Sequence, residues 1–132
     1  MFEPICFLNL CKEMFKDEQY NDEAYLRTLI SRSYYGLFLI MRDELEKHGI
    51  LFPRKGDDHG FLINELRGRE YFKIADKMKK LRGKRNDADY WTNKPIKEKD
   101  LIFSLQLAEQ LLLDFNTIYK TNIKFVGFNI AK

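Results

Sequence analysis

The strongest constraint on the fold is a set of apolar residues that recur every three to four positions over most of the chain. The clearest run is Leu101, Leu105, Ala108, Leu112, Phe115 and Tyr119. A second run is Leu26, Ile30, Tyr34, Leu37, Met41 and Leu45. This spacing forms one apolar face on an α-helix, and alternating steps of four and three are typical of helices packed nearly antiparallel in a bundle. No stretch alternates apolar and polar residues as a strand would, so we expect an all-α protein.

Prolines and glycines divide the periodic stretches into five helices. We expect helices over residues 4–16, 22–48, 58–67, 70–90 and 96–120, which make a four-helix up-and-down bundle with one short additional helix. Residues 121–132 form a C-terminal tail, and the 132 residues are expected to form a single domain. Gly36 interrupts the second helix at a cost of about 1 kcal/mol relative to Ala. We attribute this glycine to the close approach of a neighbouring helix.

Composition narrows the function classes. The chain is 45% hydrophobic and 33% charged, which argues against a disordered protein. No apolar run approaches the ~20 residues of a membrane span, and no secretory signal is recognisable, so we expect a cytoplasmic protein with no membrane partner. Cys6 and Cys11 are expected to be reduced and packed as small hydrophobes. With the two histidines they lack the paired spacing of a zinc site, and we expect neither metal nor cofactor.

Charged and polar side chains suited to a functional site are most concentrated in residues 78–91. Five cations occur within seven positions: Lys79, Lys80, Arg82, Lys84 and Arg85. Arg85 continues the apolar line of the fourth helix four residues after Leu81, and an arginine there must be paired or open onto a cleft. Asp89, one turn later, is expected to pair with it, while Asn86 and Tyr90 share another side. The stretch is therefore either a cleft onto which Arg85 opens or a solvated basic face with one buried Arg–Asp pair.

Two further groups of polar residues are candidates. Arg27, Ser31, Tyr34 and Tyr35 place polar groups beside the apolar line of the second helix, where tyrosine hydroxyls usually bond a neighbouring helix. His59 follows Asp58, which we expect to cap the short helix. The helix dipole then favours a neutral imidazole, which suits a general base. The alternative is a loop histidine that merely packs against the bundle.

Three segments together resemble the HEPN superfamily, small α-helical domains of prokaryotic toxin–antitoxin and defence systems. Residues 31–45 (SRSYYGLFLIMRDEL) are similar to its long second helix with a Ser-x-x-Tyr-Tyr core. Residues 57–62 (DDHGFL) are similar to its His-Gly turn, and residues 85–91 (RNDADYW) to an Arg-x-x-Ala-Asp-Tyr form of its signature.

The resemblance implies a homodimer in which two copies of an Arg-x(4–6)-His signature line one cleft and cleave RNA without a metal. Arg85 takes the arginine position, Asn86 the polar position that follows, and Tyr90 the position where histidine is expected. The implied catalytic set is Arg85, Asn86, Asp89, Tyr90 and His59, with His59 supplying the imidazole if the short helix folds over the cleft. The implied RNA-binding set is Arg82, Lys84, Lys80 and Arg32.

Three functions remain open from the sequence. The first is a homodimeric endoribonuclease that acts as a toxin or defence effector. The second is an inactive HEPN-like module that binds nucleotide, RNA or a partner such as a nucleotidyltransferase antitoxin, with Tyr90 as a target of nucleotide addition. The third is an unrelated helical adaptor. An outward apolar patch of Trp91, Phe103, Phe125 and Phe128 either forms the dimer interface or covers the ends of the bundle.

Overall fold

Five α-helices build the structure, a computed structural model that describes residues 1–125. They are α1 (Ile5–Lys16), α2 (Glu23–Lys47), α3 (Asp58–Gly68), α4 (Phe72–Tyr90) and α5 (Glu98–Tyr119), with a short 3-10 turn at Glu18–Tyr20. Residues 1–125 contain no strand. The all-α prediction is confirmed, and each helix begins and ends within two residues of the expected position.

The central element of the helical bundle is α2, which packs against α1, α4 and α5. Its predicted apolar line is buried over its whole length, from Leu26 to Leu45. On α5 the line from Leu101 to Phe115 is buried as well. The short helix α3 packs against α4, and α4 also packs against α5. The arrangement therefore leaves α4 in contact with three helices, and the candidate site lies on it.

The first turn of α3 is capped by a residue other than the predicted one. Asp57 has a non-helical backbone, and its Oδ1 accepts a hydrogen bond from the backbone N–H of Gly60 at 2.8 Å. Asp58, the expected cap, is the first helical residue, and its carboxylate accepts the backbone N–H of Arg54 at 2.9 Å. The prediction was wrong by one position because only a residue outside the helix can turn its side chain back to the free N–H groups.

The two cysteines have different surroundings. Cys11 is buried, its Sγ lies 3.5 Å from the carbonyl oxygen of Leu29, and burial raises the pKa of its thiol to about 12. Cys6 is exposed, so its predicted packing as a core residue was wrong. Both are free thiols. Within residues 1–125 no group of three or more His, Cys, Asp or Glu side chains is arranged to hold a metal, and no helix is long and apolar enough to cross a membrane.

Close packing of α1 against α2 explains the glycine in the middle of α2. A Cβ added at Gly36 would lie 2.8 Å from the Cβ of Phe7 and 3.1 Å from the backbone oxygen of Pro4. Both distances are shorter than ordinary van der Waals contact, and one of the two neighbours is backbone that cannot rotate away. The predicted close approach of a neighbouring helix is confirmed.

Replacement of Gly36 by alanine is expected to destabilise the protein by about 1–3 kcal/mol, the usual cost of overpacking a core contact. The same exchange at Gly83, where an added Cβ meets nothing within 4 Å, is expected to stabilise it by up to about 1 kcal/mol. Urea unfolding followed by circular dichroism measures both. Equal shifts of the same sign would show that helix propensity, and not the contact with α1, governs position 36.

Candidate functional site at the junction of α2, α3 and α4

Arg85 lies at the edge of the core and is held by a carboxylate one turn later. Its Nε is 2.8 Å from Oδ2 of Asp89, and both side chains are 25% exposed. The same carboxylate oxygen accepts a hydrogen bond from Ser31 Oγ of α2 at 3.1 Å. The predicted Arg85–Asp89 pair is confirmed, and Ser31 connects it to the central helix. Asp89 binds the Nε edge of the Arg85 guanidinium. With the described residues, the two terminal nitrogens make only one hydrogen-bond contact, at 3.5 Å to Asn86 Oδ1.

His59 projects from the first turn of α3 against α2. Its Nδ1 is 2.9 Å from the hydroxyl of Tyr34, and its ring centroid is 4.1 Å from that of Phe38. Tyr34 is 2% exposed, and burial raises the pKa of its phenol well above the ordinary value, so it stays protonated. Either the phenol donates to Nδ1, or Nδ1–H donates to the phenol oxygen and leaves Nε2 with a free lone pair.

The imidazole of His59 is biased towards its neutral form. Burial is the largest cause of its lowered pKa, and the guanidinium charges of Arg85 and Arg82 lower it further. The opposing effect of the Asp57 and Asp58 carboxylates does not offset them. The lowered pKa agrees with the predicted neutral state. Its causes are burial and the nearby cations, and not the helix dipole.

An ion pair ties the start of α3 to α4. Arg82 donates from a terminal nitrogen to Oδ1 of Asp57 at 2.8 Å, and Arg82 precedes Arg85 by one turn. The backbone N–H of Gly60 and the charge of Arg82 together lower the pKa of Asp57, so the carboxylate is held ionised. This contact joins the start of α3 to α4, while His59 itself packs against Tyr34 and Phe38 of α2. That His59 serves the Arg85 site stays a prediction.

The remaining predicted catalytic residues lie on the outer side of this junction. Tyr90 is 65% exposed, and its ring centroid is 5.7 Å from the guanidinium carbon of Arg85. Asn86 is partly buried beside Arg85. The structure therefore brings Arg85, Asp89 and Asn86 into direct contact and places the Tyr90 ring against Arg85, while His59 approaches from a different helix.

The four predicted RNA-binding cations do not form one patch. Arg82 lies at the junction, but Lys84 turns to α5, where it binds Asp100 at 3.1 Å. Lys80 is exposed. Arg32 lies over the rings of Phe7 and Tyr35, with centroid distances of 5.5 and 5.3 Å. Residues packed closely along a helix point to different sides of it, so a cluster in sequence is divided between faces of α4.

The predicted apolar patch is only partly present. Trp91 and Phe103 are 57% and 42% exposed, and the Lys84 ammonium lies 5.1 Å from the Phe103 ring centroid. Phe125 is buried, which fits the alternative that these rings cover the bundle and not an exposed interface patch. It packs with the core because Asn116 binds the chain just before it, through the backbone of Ile123. Phe128 lies outside the described residues.

Arg27 has a role that the sequence analysis did not assign. Its guanidinium donates to four backbone carbonyls at and just beyond the end of α4, those of Asp87, Ala88, Trp91 and Lys94, at 3.1, 3.0, 3.2 and 2.6 Å. Its Nε donates to Glu23 at 2.9 Å. The last carbonyls of a helix have no partner within it and carry its negative dipole end, which a cation stabilises. Arg27 thus positions the segment that carries Asp89 and Tyr90.

Comparison with protein-family models, with curated proteins and with solved structures found no match to this chain. The HEPN resemblance therefore rests on the three segments of the sequence.

Replacement of Arg27 by alanine is expected to lower the free energy of unfolding by about 1.5–3 kcal/mol, the range for hydrogen bonds to a charged group. Arg27→Lys keeps the charge but loses the planar fork, so it should recover only part of this loss. Chemical denaturation gives the comparison. Full recovery by lysine would show that the charge alone, without the four directed hydrogen bonds, stabilises the end of α4.

The titration of His59 tests the electrostatics of the junction. Its pKa should lie below the ordinary value of 6.5, and Arg85→Gln should raise it by removing a nearby positive charge. Between the folded and unfolded pKa the unfolded chain binds more protons, so the free energy of unfolding falls as the pH drops through that interval. NMR of the two imidazoles measures the pKa directly. A value unchanged by Arg85→Gln would contradict the proximity of the two groups.

Proposed function

We propose that this chain is a HEPN-like four-helix up-and-down bundle that binds RNA and cleaves it as a homodimeric, metal-independent endoribonuclease of the toxin or defence type. The observation that carries the proposal is geometric: the Asp57–Arg82 ion pair joins the start of α3, which carries His59, to α4, where Arg85 follows one turn later. An imidazole and two guanidinium groups are thereby gathered where α2, α3 and α4 pack together. Such a set supplies a proton acceptor and a phosphate ligand, the two parts that RNA cleavage by its own 2′-hydroxyl requires.

The chemistry assigns one role to each group. Neutral His59, in the tautomer whose Nδ1–H donates to Tyr34, accepts the proton of the 2′-hydroxyl at Nε2, and the oxygen attacks the adjacent phosphorus. The 2′-oxygen–phosphorus bond forms as the bond to the 5′-oxygen breaks, which leaves a cyclic phosphate and a 5′-hydroxyl. Arg85 binds the phosphate oxygens through its terminal nitrogens, since Asp89 occupies only its Nε edge. The exposed phenol of Tyr90, beside Arg85, donates the proton that the leaving oxygen takes up.

This assignment accounts for the departure from the family signature. The signature histidine is replaced by Tyr90, but His59 approaches Arg85 from α3 and is bonded to Tyr34. The base then comes from a separate helix, and Tyr90 keeps a role as acid or phosphate ligand. Within residues 1–125 no hydrogen bond joins His59 to Arg85, so the proposed activity depends on how α2, α3 and α4 pack and on the Asp57–Arg82 ion pair.

Exposed rings beside Arg85 support dimerisation at this surface. Tyr90 and Trp91 are both more than half exposed at the end of α4, and large exposed apolar groups mark interfaces. A twofold axis there would place two Arg85 side chains across one cleft and double the positive charge at the phosphate.

A second candidate is the inactive module that binds nucleotide, RNA or a nucleotidyltransferase-type antitoxin. Two observations favour it. Both guanidinium groups are already paired with carboxylates, at 2.8 Å in each case, so a phosphate must compete with Asp89 and Asp57. The ring of Tyr90 is exposed, so its hydroxyl is open to a modifying partner.

Arg85→Ala and His59→Ala are each expected to lower RNA cleavage by about a hundredfold or more. This is the usual contribution of a general base, or of a cation that stabilises the charge on the phosphate. Because only neutral His59 accepts a proton, the wild-type rate should fall as the pH drops through its lowered pKa and level off above it. Cleavage of a labelled RNA in the presence of a chelator measures both. Host growth arrest on expression, relieved by Arg85→Ala, gives the same comparison in cells.

Matched controls are His48→Ala and Lys73→Ala. His48 is the only other histidine and lies at the end of α2, and Lys73 is an exposed cation at the opposite end of α4 from Arg85. Both controls should cleave as wild type does. Undiminished cleavage by Arg85→Ala would overturn the proposal. Cleavage by a protein that sedimentation shows to be monomeric would overturn the part of it that requires a dimer. RNA binding without cleavage, lost in Arg85→Ala, would support the second candidate.

A further inference from the structure

A groove of about 510 Å³ runs between α3 and α4 next to the junction. Its lining includes Asn64 and Arg67 from α3 and Lys79, Arg82, Gly83 and Asn86 from α4. Arg82 and Asn86 also belong to the candidate catalytic site, so the groove continues that site along the surface. The volume falls within the range of about 300–1,000 Å³ typical of sites for small ligands.

Gly83 has no packing reason to be a glycine. It lies in the interior of α4, where glycine costs about 1 kcal/mol relative to alanine. An added Cβ would meet nothing within 4 Å, in contrast to Gly36, whose Cβ would strike α1. A local cost that packing does not explain is typical of a functional position. Since Gly83 lines the groove, its lack of a side chain keeps the groove open.

Polar groups in the groove are left without protein partners. The Lys79 ammonium and the Asn64 amide are exposed, and neither has an ion pair or side-chain hydrogen bond with a described residue. Arg67 and Arg82 each hold one carboxylate, Asp76 and Asp57, at 2.8 Å. Of these two carboxylates only Asp57 lines the groove, so three cations face one anion there. The groove therefore suits an anionic ligand that also offers hydrogen-bonding edges.

We propose that this groove binds the nucleotide of single-stranded RNA that neighbours the scissile phosphate. Lys79 and Arg82 bind its phosphate, the amides of Asn64 and Asn86 bind the edge of its base, and Ile63 provides an apolar contact to the base face. A base whose edge is read in this way is not paired, so the groove selects single strands over duplex. The inference rests on the proposed function and assigns its substrate class.

The test uses Gly83→Gln, whose side chain would occupy the groove, and Gly68→Gln as its matched control. An added Cβ at Gly68 also meets nothing within 4 Å, but Gly68 does not line the groove. The probe is a fluorescent six-nucleotide 2′-O-methyl RNA, single-stranded or annealed to its complement, which binds but lacks the attacking hydroxyl. Anisotropy titrations measure affinity, and thermal unfolding checks that Gly83→Gln is folded, as its better helix propensity predicts.

Gly83→Gln is expected to weaken single-strand binding about tenfold or more, the worth of roughly one bound base, while Gly68→Gln stays within about twofold of wild type. Lys79→Ala, an exposed change, should reduce the slope of log affinity against log salt by about 0.7 for the lost phosphate contact. Wild type should prefer the single strand to the duplex. Wild-type affinity in Gly83→Gln, an unchanged salt slope in Lys79→Ala, or equal binding of duplex would overturn the inference.

These outcomes separate the inference from the function on which it rests. If cleavage depends on Arg85 but Gly83→Gln leaves RNA binding unchanged, only the groove assignment is overturned and the ribonuclease proposal stands. A wild-type protein that neither binds nor cleaves RNA overturns both. If such a protein binds a 5′-mononucleotide and Gly83→Gln does not, the groove belongs to a nucleotide-binding module and the RNA assignment is overturned.

Discussion

The attachment of α4 to α2 through Arg27 is the interaction on which the candidate site depends. A helix end normally leaves its last carbonyls to water, but here one guanidinium from the central helix binds four carbonyls at and beyond the end of α4. This contact determines where the last turn of α4 lies. Asp89 in that turn receives Ser31 from α2 and Arg85 from its own helix, so the orientation of Arg85 follows from the same attachment.

The second helix that completes the site, α3, is held by its buried apolar residues Leu62 and Leu66, and an ion pair adds to this attachment. Asp57 caps α3 and also receives Arg82, which joins the helix that carries His59 to α4. The result places an imidazole near two guanidinium groups, an arrangement that costs little only while the imidazole is neutral. Burial of the ring supports that state by lowering the pKa of His59. The electrostatic cost of gathering cations at one junction is therefore met by two carboxylates and a neutral ring, and it leaves the terminal nitrogens of Arg85 for an anionic ligand.

Features that leave a signal in the local sequence could be predicted, even where the partner is distant. The Arg85–Asp89 pair followed from a spacing of four on a helix, and the close approach at Gly36 followed from a glycine inside a helix, where it is unfavourable. The sequence did not predict that the cations of α4 turn to different helices, Arg82 to the start of α3 and Lys84 to α5. Their partners Asp57 and Asp100 are far from them in sequence. The sequence left open whether Phe125 is exposed or covers the bundle, since its burial depends on how Asn116 binds the backbone of Ile123. The cap at Asp57 was missed because two adjacent aspartates are chemically equivalent until the backbone distinguishes them.

The sequence by itself determined the five helices, because the three-to-four spacing of apolar residues selects the buried face of each helix without reference to the others. It also determined that an arginine would lie beside the core of α4 with a carboxylate one turn away. Only the tertiary structure decided that His59 and Tyr34 meet, that Arg27 closes the end of α4, and that Gly83 opens a groove. These depend on how helices distant in sequence pack, and packing is set by the fit of whole surfaces, which no local pattern encodes.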